Sequence, residues 1–224
     1  MIRVHIICEG QTEEMFVNEL MRSPFAAKGI DLRPSLVGKP GHKGGNFKFE
    51  RLLGDVRSRL LGDTQSYCTT FFDFYGLPED FPGKRVLPAN ASIHDKASAV
   101  NSALDEKLKD HLGEEPVRRF IPFIQMYEFE ALLFSDAKAF AAGIDKPNLE
   151  DSFQAISDSF DSPEHINDSP QTAPSKRVLQ LVTGYEKPLM GSLAAIEIGL
   201  NSIRRECQLF DTWLNQLEAL VPEH

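Results

Sequence analysis

The sequence has little cysteine, a single tryptophan, no long apolar run and no excess of positive charge. Cys8, Cys68 and Cys207 are odd in number, far apart and set among apolar neighbours. That spacing offers neither a disulfide framework nor a zinc-ligand pattern. It points to buried, reduced thiols in a cytoplasmic setting. No stretch approaches the roughly 20 apolar residues that a membrane-spanning helix requires, so no membrane partner is expected. The start, Met1-Ile2-Arg3-Val4-His5-Ile6-Ile7, has no basic leader and no small-residue cleavage site, and reads as a strand rather than a signal peptide. With 24 Lys and Arg against 33 Asp and Glu, the net charge is −9. This argues against the broad basic face of a protein that wraps nucleic acid. Phosphate contact would have to run through a local patch or through divalent cations.

What is present is enough for a sizeable core. The chain has 224 residues, 42% of them hydrophobic, which excludes intrinsic disorder and removes any need for a covalent staple. Val4 to Cys8, Ile30 to Val37, Tyr67 to Phe72 and Phe120 to Met126 are strand candidates, and Pro34 suggests an edge position for the second. Helical spacing or capping signals fall between them: Thr12 as an N-cap with Glu13 and Glu14 in the first turn, Phe49 to Leu61, and Asp95 capping Lys96 to His111. Glu128 to Phe134 reads as a short helix. The alternation over residues 1–135 predicts an α/β fold with a largely parallel sheet of about four strands and helices on both faces. Residues 136–224 carry no strand signal. Helices are expected near 149–160, 176–183 and 200–219, with a loop at 161–175, as an extension packed on the sheet domain.

In an open parallel sheet, ligands bind beyond the carboxyl ends of the strands. Three predicted strands end in acids: Glu9 after the first, Asp73 after the third, Glu128 and Glu130 after the fourth. Hard oxygen ligands gathered at one edge suit Mg²⁺ or Mn²⁺. Glu128 and Glu130 cannot face the same way, and Glu128, nearer the strand end, is the favoured ligand beside Glu9 and Asp73. Taken singly, each acid has an ordinary reading as a helix-terminus or turn residue. The loop Lys39-Pro40-Gly41-His42-Lys43-Gly44-Gly45-Asn46 lacks a nucleotide-binding P-loop pattern, but Lys39, His42 and Lys43 are candidate phosphate contacts. Ser175-Lys176-Arg177 reads as an N-cap followed by two cations that oppose the helix dipole, which calls for a phosphate or carboxylate partner. Arg118-Arg119 and Arg204-Arg205 read as solvated faces or salt-bridge partners; Trp213, Leu214 and Leu217 read as core.

Val4 to Glu13, Asp73-Phe74-Tyr75-Gly76 and Tyr127 to Phe134 resemble the Toprim (topoisomerase–primase) domain, which implies a Rossmann-like sheet. With Thr172 to Arg177, Ile203 to Cys207 and Trp213-Leu214, they resemble a bacterial family of unknown function grouped with Toprim-like proteins. The resemblance runs over nearly the whole chain. It implies that Glu9 and Asp73 are Mg²⁺ ligands in a phosphodiester-cleaving nuclease, with Glu128 or Glu130 completing the site or acting as general base. Nucleic acid, DNA or RNA, is then the expected substrate, an ATPase the expected partner, and defence against phage the expected role; association with further copies of the chain stays open. Toprim enzymes usually carry a second Asp two positions after the first, and Tyr75 stands there. That departure leaves the alternative of a catalytically degenerate subunit that regulates an ATPase.

Overall fold

A computed structural model describes residues 1–38, 48–85, 87, 91–167, 169 and 171–220. Strand β1 (Ile2–Cys8) leads through α1 (Gln11–Phe16), a π-helical turn (Val17–Met21) and α2 (Arg22–Ala27) to β2 (Ile30–Leu36). Then come α3 (Phe49–Gly62), β3 (Ser66–Asp73), α4 (Ile93–Leu112), α5 (Glu114–Val117) and the paired segments β4 (Phe120–Ile121) and β5 (Ile124–Gln125). All described pairings are parallel, and the spatial order is β2-β1-β3-β4, with β5 also on β3. The parallel α/β architecture expected from the sequence is thus present, and β2, with its Pro34, lies at the edge.

The fourth strand is split at Pro122 and Phe123, where the Phe123 N–H bonds the Thr70 side chain instead of the backbone ladder. The register with β3 continues unbroken from Thr69↔Ile121 to Phe72↔Ile124. In the gap a side chain replaces the backbone bonds. Thr70 Oγ1 donates to the Phe123 carbonyl (2.9 Å) and accepts the Phe123 N–H (3.1 Å). Thr70→Val keeps the shape and strands both buried groups, so it should cost about 1–3 kcal/mol for each group left unpaired, read by urea denaturation. An unchanged midpoint would show that water takes the place of the hydroxyl.

The alternation of β1 sends Val4, Ile6 and Cys8 to one core and Ile7 to another. The second core lies under α3 and α4, through Leu52, Val56, Leu60, Val100, Leu104 and Leu108. The first is closed by α1, α2 and the C-terminal helices. These are α6 (Ala137–Gly143), α7 (Glu150–Ser157), α8 (Pro174–Leu181), a π-helical turn (Lys187–Gly191), α9 (Ser192–Ile198), α10 (Leu200–Glu206) and α11 (Gln208–Glu218). Trp213 of α11 stacks on Phe123 at 4.3 Å, and its Nε1 donates to Thr69 Oγ1. The C-terminal helices therefore complete the core of the sheet. Burying each such aromatic contributes about 1.5–3 kcal/mol.

Several local expectations are replaced by others. Thr12 lies inside the first turn and is buried, while Gly10 takes the cap and Glu13 accepts its N–H. Ser92, not Asp95, caps α4. The helix expected over 200–219 breaks at Cys207, where Glu164 accepts the Leu209 and Phe210 N–H groups. Arg119 is not solvated: it donates to the carbonyls of Leu60, Asp63 and Ser66 and so closes the end of α3. Arg204 joins α10 to α11 through Asp211 and Glu218. The three cysteines are buried and free. No described helix is long and apolar enough to cross a membrane.

Candidate functional site

Because β1 and β3 are parallel neighbours, their carboxyl ends lie side by side. Glu9 follows β1, and its N–H is held by the Phe71 carbonyl (3.1 Å). Its carboxylate turns back over the sheet edge and accepts the Asp73 N–H (2.9 Å). Asp73 ends β3. Glu13, one turn along the helix that leaves β1, is pulled in by its bond to the Gly10 N–H (2.9 Å). Glu130 comes from the 3₁₀ segment Phe129–Ser135 beyond β5. Three of these acids, Glu13, Asp73 and Glu130, are buried.

One cation enters the group. Lys187 Nζ stands 2.9 Å from Asp73, 3.1 Å from Glu130 and 3.7 Å from Glu13. A third of its side-chain surface stays exposed, so the cluster opens to solvent along the lysine stem. Three of the carboxylates share this one ammonium, and hydrogen bonding does not satisfy Asp73 and Glu130. Asp73 Oδ1 and both Glu130 carboxylate oxygens are buried without a hydrogen bond, as is the hydroxyl of Tyr185.

The electrostatics follow from burial and crowding. Burial and the charge of Asp73 push Glu9 up to about 8. Burial raises Glu130 to about 7, against the pull of Lys187. Glu13 is also raised, by burial and then by Asp73. Burial alone would lower Lys187, but Asp73, Glu130 and Glu13 hold it well above the ordinary lysine range. The ammonium stays charged while part of the acid group carries protons.

The residues singled out in the sequence are placed as follows. Glu9, Asp73 and Glu130 lie together at the sheet edge. Glu128 stands at the rim: its carboxylate accepts the Ser175 N–H (2.8 Å) and is the anion at the start of α8. The carboxylate partner that Ser175-Lys176-Arg177 called for is therefore internal. Lys176 is exposed, and Arg177 donates to the Thr172 carbonyl and lies over the Phe160 ring. Lys39, His42 and Lys43 lie outside the described residues. Tyr75 does not turn its hydroxyl to the acids but donates to Asn167 (2.6 Å).

Sequence reasoning missed Glu13 and Lys187. Glu13 carried a signal, since a Glu three residues after a capping position reaches back to that cap. Lys187, between Glu186 and Pro188, carried none. A wall of rings flanks the acids, with Tyr75 against Tyr127 (5.4 Å) and Phe74 against Tyr127 (5.8 Å). Lys84 lies over Phe74, and Lys96 lies over Tyr127.

Among the described residues, no set of three or more His, Cys, Asp or Glu side chains is arranged to hold a metal ion. The geometry is that of carboxylates gathered round an ammonium. In kind, however, the donors suit a hard divalent cation: all are carboxylates, and Asp73 and Glu130 keep buried oxygens free of hydrogen bonds. A family model described as a domain of unknown function, DUF4276, matches residues 8–218. No curated protein and no solved structure matches the chain.

Proposed function

The chain belongs to the DUF4276 family of domains of unknown function, and for it we propose a Toprim-like, Mg²⁺- or Mn²⁺-dependent cleavage of phosphodiester bonds in DNA or RNA. The observation that carries this reading is the meeting of Glu9, Asp73, Glu13 and Glu130 at the carboxyl edge of a parallel sheet, with buried oxygens that the protein leaves without hydrogen bonds. Asp73 and Glu130 would hold the cation, with Glu9 and Glu13 beside them. Bound there, it would polarise a phosphate oxygen and lower the pKa of a water. Lys96, half-buried beside Tyr127, offers a local positive charge to a phosphate. Association with an ATPase and a role in phage defence follow from the family resemblance alone.

The test is cleavage of plasmid, linear duplex and single-stranded DNA and RNA with Mg²⁺ or Mn²⁺. Activity on at least one substrate should vanish in EDTA and in Asp73→Asn, with the circular dichroism unchanged. The absence of cleavage on every substrate would overturn the reading. One observation favours a second: Lys187 already neutralises part of the acid group, and Tyr75 reaches Asn167 where a second acid would stand. A catalytically silent regulatory subunit of an ATPase complex would show this. It would bind no Mn²⁺ and would change the ATPase rate.

A further inference from the structure

Lys187 holds the point where the acids converge. Its Nζ lies within 4 Å of three carboxylates from three elements: α1, the end of β3 and the 3₁₀ segment after β5. Such a position is chemically that of a metal ion. It is central, has carboxylate oxygens for its ionic neighbours among the described residues, and is flanked by oxygens with spare lone pairs.

Two observations indicate that the ammonium fills this position incompletely. Glu130 is 1% exposed, yet among the described residues its only ionic partner is Lys187 and neither of its oxygens makes a hydrogen bond. Asp73 gives one oxygen to Lys187 and leaves the other unpartnered. An ammonium has three protons and one charge, and three carboxylates, with six oxygens, exceed both. A divalent cation carries twice the charge and accepts six or more oxygens. The lysine also has a way out. It rises from a turn in which Glu186 and Pro188 are exposed, and its own stem is partly in solvent.

We propose that Lys187 is a resident cation: its ammonium keeps the acid cluster together when no metal is bound, and a divalent cation enters only as the lysine withdraws along its solvent-exposed stem. This rests on the metal-dependent reading and adds a control to it. Metal affinity is set low by an internal competitor. The same competition accounts for why the carboxylates, splayed around an ammonium, do not already form a metal-binding set.

The test is Mn²⁺ binding, followed by the electron paramagnetic resonance signal of the free ion, with thermal melts in EDTA and in Mn²⁺. Lys187→Met should bind Mn²⁺ at least about tenfold more tightly than wild type, because a like charge has left the site. Its melting temperature should fall in EDTA and rise more than that of wild type on adding Mn²⁺. Should the single variant not fold, Glu130→Gln and Glu130→Gln/Lys187→Met form the comparison. They share the same three remaining carboxylates and differ only in the lysine, and the double variant should again bind more tightly. Equal affinities with and without the lysine, abolished by Asp73→Asn, would leave the metal site standing and overturn the resident cation. Weaker binding without the lysine would overturn it as well. Failure of every variant to bind Mn²⁺ would remove the metal-dependent reading itself.

Discussion

Between about pH 4.5 and pH 8, Glu9→Gln should gain folding stability relative to wild type by about 5 kcal/mol, while abolishing metal-dependent cleavage. Glu9 is half-buried beside Asp73, is not within ion-pair distance of Lys187, and is pushed up to about 8 by desolvation and by the Asp73 charge. Its folded pKa therefore lies above its unfolded one. Between about 4.5 and 8 the folded state binds more protons, so wild-type stability falls as pH rises through that window and levels off above it. Glutamine keeps a carbonyl oxygen for the Asp73 N–H and cannot ionise, so its curve lacks this descent. Glu130 and Glu164, both raised to about 7 chiefly by burial, give wild type and variant the same remaining slope. Denaturant titrations across the pH range read the difference. Parallel curves for the two proteins would mean that Glu9 is not held in a desolvated, acid-crowded position.

The parts of the protein that were legible in the sequence are those where one physical signal dominates. Apolar runs ending in acids gave β1 and β3, and parallel topology then placed Glu9 next to Asp73. The split in the fourth strand was not legible, because the bonds that bridge the gap come from the Thr70 side chain. Helices α6 and α9 escaped for a different reason. Hydrophobic periodicity assumes that large apolar residues face inward. In α9 the inward residues are Ala194, Ala195 and Ile198, while Leu193 and Ile196 are about half exposed. Small residues face the core because α6 and α9 pack closely: a Cβ at Gly143 would lie 2.6 Å from the Ala194 Cα. Lys187 is carried by the turn that enters α9. Missing that segment meant missing the only cation in the acid cluster among the described residues. Between Glu128 and Glu130, nearness to the strand end was a poor guide to position. The 3₁₀ turn carries Glu130 inward, and the Ser175 N–H holds Glu128 at the rim.

Gly76→Ala should cost about 1–3 kcal/mol and eliminate cleavage, through one displaced carboxylate. A Cβ at Gly76 would fall within contact distance of the Glu9 carboxyl carbon and both its oxygens. The backbone of Gly76 is not in the left-handed region, so alanine brings no conformational strain and the collision is the whole effect. Glu9 cannot yield inward, because Asp73 and Glu13 surround it with like charge. It has to swing toward solvent and release the Asp73 N–H. That loss loosens the end of β3 and removes one acid from the cluster in a single step. Glu9→Ala/Gly76→Ala separates the two effects. With the carboxylate gone the new methyl meets nothing, so the added cost of Gly76→Ala should vanish in the Glu9→Ala background. The coupling energy should equal most of the single-variant loss, while cleavage stays absent in all three variants. Additive costs in that cycle would place the collision elsewhere. A fully active Gly76→Ala would show that cleavage does not need the carboxylate of Glu9 where the fold holds it.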